Sequence, residues 1–355
     1  MATSVKRILV AIRDLRHAPK TELGKAAALA RAAGARLELF HAIDEPDPAA
    51  SWPETATAAF VEQRRSSIAA RNRRHLQRFA RDRALHGLEV ECTASWDYPA
   101  HEAIVRRALA TRADLVIAVT RHHRMGARFL LRNTDWELIR HCPMPLLLVR
   151  SGHPYRRPAV VAAVDPFHAR PADLDARLLA EGSRFAKLLH GSLHVFHAYM
   201  PLVTAITMPV TTAPIVMLPP EAEAAHGEQI TRSIDRLADG AAIPRARRHV
   251  EMGDVSGELR AVVRTTGAGV VVMGAVSRSA LARVFIGNTA ERVLDRLDCD
   301  VLVVKPRGFK SRIERRSAAV EVKPVRRRRA AGRVRGAARP SGVTTMRVML
   351  PPVPV

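Results

Sequence analysis

The strongest constraint on the fold is an internal repeat with a period of about 155 residues. Two early matches pair ILVAIRD (Ile8–Asp14) with VVAAVD (Val160–Asp165), and LELFHA (Leu37–Ala42) with LHVFHA (Leu193–Ala198). A late match pairs PLLLVR (Pro145–Arg150) with DVLVVK (Asp300–Lys305). Each of these segments is a short apolar run beside polar residues, which is typical of a buried β-strand. Two copies of one domain are therefore predicted.

Helices separate the strands in both copies. Ala-containing stretches follow the first strand at Thr21–Gly34 and at Asp173–Gly191, and each ends at a glycine, as helices often do. Aromatic residues make up only 4% of the chain, so the core must consist mainly of Val, Ile, Leu and Ala. Apolar strands that alternate with helices favour a parallel sheet covered on both faces. The predicted fold class is α/β, with two tandem doubly wound, Rossmann-like domains.

The repeat also predicts the domain boundaries. The first domain is expected over residues 1–152 and the second over residues 158–306, with the junction in Ser151–Pro158. A final strand left at the edge of each sheet would be an exposed template for pairing with another chain. We therefore expect Leu146–Arg150 and Val301–Lys305 to meet as edge strands, so that the two domains form a pseudo-dimer within one chain.

Much of the positive charge lies after the second domain. Residues 307–355 contain 14 Lys or Arg against two Glu, which is +12 of the chain's formal net charge of +23. A run of arginines mixed with Gly, Ala and Pro predicts a basic disordered tail. Such a tail is either a solvated extension or a contact for nucleic acid or an anionic membrane surface, since clustered arginines release counterions on binding.

Cysteine content and apolar run lengths bear on the cellular compartment. The three cysteines include no CxxC pair, so neither a disulfide scaffold nor a zinc site is expected. The apolar run near the N-terminus is too short for a signal-peptide core or a membrane span. We expect a cytoplasmic protein without a transmembrane segment. Cys142 and Cys299 precede the final strands and are interpreted as small buried residues.

A glycine-containing segment follows the fourth strand of the second copy. Gly274–Asp295 reads GAVSRSALARVFIGNTAERVLD. Glycines after a strand let the backbone approach phosphate oxygens, and a following helix N-terminus adds unpaired N–H donors. This segment resembles the signature of the universal stress protein family. The block TDWELIRHCPMPLLLVR (Thr134–Arg150) resembles the tandem, UspE-like members of that family, and the whole resemblance extends over residues 6–306.

The resemblance implies a binding site for ATP in the second copy. In ATP-binding members of the family, an acidic residue after the first strand meets the adenine, and the glycine loop holds the phosphates and the ribose. Carried onto this chain, the implied binding residues are Asp165, Gly274, Ser277, Gly287, Asn288 and Thr289.

Two comparisons refine this implied site. Ser277 stands where the family has a second glycine, and Asn288 stands where it has Ser or Thr. In the first copy, the same register places Val119 and Arg132 opposite the two glycines of the loop. We therefore expect a single site, in the second copy.

The remaining polar residues suggest no chemistry of their own. No Ser, His and Asp set can be assembled, so no catalytic residue is expected. Four histidines lie in different elements without the spacing of a metal site and are interpreted as solvated: His101, His122, His123 and His141. His41 and His197 recur after the second strand of each copy, where a hydrogen bond, a packing role or a ligand contact would explain them equally.

Three functions are consistent with these features. The first is a stress-response protein that binds a nucleotide or another phosphate-containing, partly apolar ligand and is not an enzyme. The second is a weak ATPase, and the third is an interaction protein without a small ligand that delivers its basic tail to nucleic acid or a membrane surface. The uncharged, apolar stretch Pro201–Pro220 is predicted to fold over a ligand pocket as a lid or to pack on the first copy.

Overall fold

The computed structural model describes most of the two repeats. The described residues are 4–43, 57–119, 133–167, 173–201, 220–275, 293–294 and 296–313. The proposed lid at 202–219 and the tail beyond residue 313 lie outside these ranges. No helix among the described residues is both long enough and apolar enough to cross a membrane.

Strands and helices alternate through both repeats. The first repeat contains β1 (Arg7–Ala11), α1 (Lys20–Ala33), β2 (Arg36–Ile43), α2 (Ala58–Phe79), β3 (Val90–Trp96), α3 (Ala100–Thr111), β4 (Leu115–Val119), α4 (Asn133–His141) and β5 (Leu146–Val149). The second contains β6 (Ala159–Ala163), α5 (Leu174–Leu188), β7 (Ser192–Tyr199), α6 (Pro220–Gly240), β8 (Arg248–Met252), α7 (Val255–Thr266), β9 (Ala268–Gly274) and β10 (Asp300–Val304).

Local sequence explains where several helices begin and end. Thr57 and Asp254 are the N-caps of α2 and α7, and their side chains accept hydrogen bonds from the backbone N–H groups of the first turn. Helices α1 and α7 end at Gly34 and Gly267, which adopt the left-handed conformation with φ of 64° and 63°. Glycine has no Cβ penalty there, so both helices stop sharply.

The ten strands of the described ranges form one sheet in the order β3-β2-β1-β4-β5-β10-β9-β6-β7-β8. Every neighbouring pair is parallel except β5 and β10, which are antiparallel. Within each repeat the chain winds outward from a central strand, first to one side and then to the other. The predicted α/β class with doubly wound sheets is therefore confirmed.

The two repeats meet through their final strands, as predicted from the edge-strand argument. Leu302 lies opposite Leu147, and the flanking pairs are Val301 with Leu148 and Val303 with Leu146. All of these side chains are buried. The strand that would be the exposed edge of one repeat is thus paired with its counterpart from the other.

Hydrophobic side chains cover both faces of this sheet. On one face, Leu23 of α1 and Leu76 of α2 share a cluster with the equivalent helices α5 and α6 of the second repeat. On the other face, Ile104 of α3, Leu138 of α4 and Leu259 of α7 form a second cluster. Burial on both faces explains why the strands are almost wholly apolar.

A buried ionic contact joins the repeats where the linker leaves β5. The Lys25 ammonium of α1 lies 2.6 Å from a carboxylate oxygen of Asp300, which begins β10. The Tyr155 hydroxyl donates to the same oxygen at 2.6 Å, and the backbone N–H groups of Arg150 and Ser151 donate to the other oxygen, each at 2.9 Å. The buried carboxylate therefore has a counterion and hydrogen-bond donors on both of its oxygens.

Candidate functional site

Two of the residues implied in ATP binding leave neighbouring strands at the same edge of the sheet. Strands β6 and β9 are parallel neighbours, with Ala162 opposite Val272. Asp165 follows β6 by two residues and Gly274 is the last residue of β9. From β6 the chain adds strands first on one side, as β7 and β8, and then on the other, as β9 and β10. In doubly wound sheets, ligands bind beyond the carboxyl ends of the strands at such a switch point.

The other four implied binding residues are Ser277, Gly287, Asn288 and Thr289, which lie outside the described residues. Their contribution to a site stays a prediction from the sequence.

The peptide group between Val164 and Asp165 is held at both its N–H and its carbonyl. Its N–H donates to a carboxylate oxygen of Asp175 in the first turn of α5 at 3.1 Å. The carbonyl of the preceding Val164 lies 2.9 Å from Nδ1 of His197, a buried side chain that is 6% exposed. Because a carbonyl only accepts, Nδ1 of His197 carries the proton, and Nε2 is available as an acceptor in the neutral ring.

The same hydrogen bond occurs in the first repeat, where Nδ1 of His41 donates to the carbonyl of Ile12 at 2.8 Å. Of the roles considered for these recurring histidines, the structure shows the hydrogen bond. In each repeat it fixes the backbone of the residue that directly follows the first strand.

Gly274 also has a packing reason to lack a side chain. A Cβ at this position would lie 2.8 Å from Cδ2 of Leu174, the first residue of α5. Leu174 is fully buried, so it has little room to move away. Close helix-to-strand contact therefore explains this glycine independently of any approach to phosphate.

The first repeat fills the equivalent edge with an ion pair. Ile12 and Val164 make the same backbone contacts to their second strands, so the next residues, Arg13 and Asp165, occupy equivalent positions. The sequence match had instead placed Asp14 with Asp165. The Arg13 guanidinium lies 3.2 Å from a carboxylate oxygen of Asp135, whose side chain is 3% exposed. The two repeats thus carry opposite charges at this position.

Lys305 is a cation beside the candidate site that the sequence argument did not identify. It follows β10 and is buried, and its ammonium donates to the carbonyl of Ala275, the residue after Gly274, at 2.8 Å. Burial lowers the pKa of Lys305 to about 8. The Lys305 ammonium also lies over the ring of Phe309, 4.8 Å from the ring centroid. The sequence contains one signal for this cation: the matched final segments of the two repeats both end in a basic residue, Arg150 and Lys305, after their apolar run.

The cysteines are free thiols, and Cys142 and Cys299 are buried as predicted. Burial raises the pKa of each of these two thiols to about 12. A thiol with such a pKa is protonated near neutral pH and is a poor nucleophile. These two side chains therefore serve the core.

Comparisons with known proteins agree with the fold and the repeat. The model of the universal stress protein family matches residues 4–150 and again residues 159–305. Universal stress protein E of Escherichia coli strain K12 is 30% identical over 236 residues, which cover 64% of this chain and 72% of that protein. Its counterpart from Photorhabdus laumondii is 27% identical over 237 residues, or 64% of this chain and 73% of that one.

Solved structures with a similar fold span both repeats. A universal stress protein from Archaeoglobus fulgidus superposes with a TM-score of 0.56 at 14% identity, covering 85% of this chain and 99% of that one. A protein of unknown function from Pseudomonas aeruginosa PAO1 gives a TM-score of 0.63 at 23% identity, covering 85% and 93%. With the family model matching both halves, the chain belongs to the universal stress protein family.

Proposed function

We propose that this chain is a stress-response binding protein whose second repeat takes one phosphate-containing ligand, with ATP as the candidate. The observation that carries the proposal is the difference between the repeats at one edge of the sheet. The second repeat presents Asp165 and Gly274 where its strand order reverses, whereas the first repeat fills the Asp165 position with the Arg13–Asp135 ion pair.

The chemistry of this edge suits a nucleotide. A carboxylate accepts hydrogen bonds from an amino group such as that of adenine, which supports the role proposed for Asp165. Gly274 ends β9 at this edge, so the segment that follows it leaves the sheet where we propose that the phosphates bind. We propose that Lys305 contributes positive charge to the phosphates, because its ammonium already contacts Ala275 beside the loop. The loop residues Ser277 and Thr289 remain part of the proposed site from the sequence.

The first repeat supports no second site in this proposal. An adenine amino group that approached the position of Asp165 would meet the Arg13 guanidinium, which offers only donors. Arg13 is already paired with a buried carboxylate, so a ligand that displaced it would have to break this ion pair. The expected stoichiometry is one ligand per chain.

We propose binding without turnover, in a reducing cytoplasm. The three cysteines are free, which supports a reducing compartment. Slow ATP hydrolysis would be detected as ADP release during the binding experiment. Appearance of ADP at a rate abolished by the site variants would favour the weak ATPase instead.

The test is a calorimetric titration of the full chain with ATP. Replacement Asp165→Arg copies the first repeat and should weaken binding by about tenfold or more. It exchanges a carboxylate, which accepts hydrogen bonds, for a guanidinium, which only donates and therefore cannot bind the adenine amino group. Gly287→Arg, which copies Arg132, should do the same. Asp298→Asn is the matched control, because that carboxylate of the same repeat is 68% exposed.

Two results would contradict the proposal. One is a titration with two equivalent sites per chain. The other is an unchanged affinity in Asp165→Arg, provided that its thermal unfolding matches that of the parent protein.

A further inference from the structure

A cleft lies where the first repeat meets the segment that leaves the second. It is formed by α3, α4 and the segment that leaves β10, and its volume is about 470 Å³. The lining residues are His101, Glu102, Arg106, Glu137, His141, Arg312 and Ile313. The first five belong to the first repeat and the last two to the end of the second, so the cleft depends on both.

The carboxylates of this cleft already have cationic partners. Glu102 accepts from the Arg106 guanidinium at 2.7 Å, and Arg106 also binds Asp97. Glu137 lies 2.6 Å from the guanidinium of Arg140 and 3.2 Å from Nε2 of His141. Neither carboxylate is therefore left to attract a cation. Within the described ranges, no three His, Cys, Asp or Glu side chains are arranged to hold a metal ion.

The remaining groups of the cleft are suited to an anion. Arg312 is exposed and makes no ion pair with any residue that the structure describes. The Nδ1 atom of His141 is buried and has no hydrogen-bond partner in the described part of the chain. The ring of His101 stacks on that of His141, with centroids 6.3 Å apart and planes at 26°.

Protonation decides whether His141 can bind an anion. Its Nε2 faces the Glu137 carboxylate and therefore carries a proton, so Nδ1 of the neutral ring is an acceptor. Because Nδ1 is buried, His141 acts on an anion in the cleft through the positive charge of its imidazolium form. Burial lowers the pKa of His141 and of His101, so both rings are mainly neutral near pH 7 until an anion arrives.

Charged groups from each packed element act on these rings. Those facing His101 and His141 are Glu102 and Arg106 of α3, Glu137 and Arg140 of α4, and Lys305 and Arg312 at the end of the second repeat. The carboxylates favour protonation and the cations oppose it. A bound anion would offset the cations, so binding should be accompanied by proton uptake.

We propose that this cleft is a binding site for a small oxyanion, a phosphate or carboxylate group, held by Arg312 and the paired imidazoles of His101 and His141. The anion joins the exit segment of the second repeat to two helices of the first. Its affinity rises as the pH falls, because protonation of the two rings adds positive charge beside the anion. The residues that hold the anion differ from those proposed to hold ATP, so anion binding does not require ATP. Lys305 lies beside both groups of residues.

The test uses sulfate, which stays a dianion from about pH 5 to about pH 8, so that any pH dependence comes from the protein. Calorimetry and imidazole NMR signals of the full chain are followed at about pH 6 and about pH 7.5. We expect saturable binding that shifts the signals of His101 and His141 and is at least about threefold tighter at the lower pH.

Arg312→Gln should weaken sulfate binding by about tenfold while leaving the fold intact, since this side chain is exposed. Arg307→Gln is the matched control, because Arg307 lies on the same segment, is 84% exposed and does not line the cleft. Asp165→Arg should leave sulfate binding unchanged. Competition by succinate identifies a carboxylate as an acceptable ligand, whereas displacement by phosphate alone identifies a phosphate site.

The proposal is overturned if sulfate produces no saturable shift of the two imidazoles. It is equally overturned if Arg312→Gln binds sulfate as tightly as the parent protein, or if Arg307→Gln weakens binding to the same extent. Tighter binding at the higher pH would also contradict the role of the imidazoles.

Discussion

At the scale of single residues, the two repeats place different polar pairs at one structural position. Glu38 lies opposite Leu9 in the first repeat, and His194 lies opposite the equivalent Val161 in the second. Glu38 is buried and pairs with the Arg107 guanidinium at 2.6 Å. His194 instead lies 3.0 Å from the ring nitrogen of a second histidine, His249. A charged pair in one copy thus corresponds to a neutral pair in the other.

This histidine pair predicts that stability falls in mild acid. Burial, the neighbouring His249 and the charge of Arg247 lower the pKa of His194 to about 4, from 6.5. The pKa of His249 is also lowered by burial, although Glu251 opposes this shift. Between pH 6.5 and about 4, His194 binds a proton in the unfolded chain more readily than in the folded chain. The free energy of unfolding therefore decreases as the pH falls through this range. We expect a loss on the order of 1–2 kcal/mol in urea unfolding, after discounting for solvent screening.

The control separates this pair from the other titrating groups. His194→Gln should flatten part of the decrease between about pH 7 and about pH 5, because the variant cannot take up that proton on unfolding. His86→Gln, at an exposed histidine, should leave the slope unchanged. Equal slopes in all three proteins would show that His194 does not contribute.

At the scale of secondary structure, the contact between β9 and α5 limits the side chain at the candidate site. Gly274→Ala should destabilise the protein by about 1–3 kcal/mol, because the added methyl group would press on the buried Leu174. Gly24→Ala in α1 is the control, since nothing lies within 4 Å of a Cβ there. That replacement should stabilise the helix by about 0.5–1 kcal/mol. Thermal unfolding of both variants measures the difference.

The Gly274→Ala variant also distinguishes a role of Gly274 in ligand binding from a role in packing. If Gly274→Ala keeps its stability and loses ATP affinity, the glycine serves the ligand. If stability falls and the folded protein still binds ATP normally, the glycine serves the packing of the helix on the strand.

At the scale of the whole molecule, one sheet and one buried ion pair couple the repeats. Strands β5 and β10 pair directly, and Lys25 of the first repeat neutralises Asp300 of the second. We therefore expect a single calorimetric unfolding transition for both repeats. Lys25→Met should lower the free energy of unfolding by about 3–5 kcal/mol, because it leaves a buried carboxylate without its ammonium.

Lys20→Met is the matched control, at an exposed lysine of the same helix, and should have little effect. Two resolved transitions, of which Lys25→Met moves only one, would show that the repeats unfold independently. The coupling assigned to the sheet and the ion pair would then be wrong.

The sequence was informative where local pattern determines structure. The repeated apolar runs predicted the strands, and the edge-strand argument predicted the pairing of β5 with β10, because burial on both faces leaves a clear pattern. The placement of Asp14 opposite Asp165 was wrong by one residue, since two adjacent polar residues after a strand give no signal for register. The contact of Lys305 with Ala275 could not be predicted in this way, because the two residues follow different strands and meet only in the folded sheet.

The cleft beside α3 and α4 likewise depends on contacts that a local sequence pattern does not predict. His101 and His141 were interpreted as solvated because they belong to different helices, yet their rings stack and are partly buried. Arg312 reaches them only because β10 pairs with β5 and directs the following segment across the first repeat. Neither helical periodicity nor residue spacing contains that information.

Joining the two final strands within one polypeptide has a consequence for how such a protein can change over generations. In a symmetric homodimer, every substitution appears twice, once on each side of the axis, so a change that suits one subunit is imposed on the other. In this chain the strands that meet, β5 and β10, are encoded separately. Arg13 and Asp165 could therefore acquire opposite charges at equivalent positions, and one copy can specialise while the other keeps a different task.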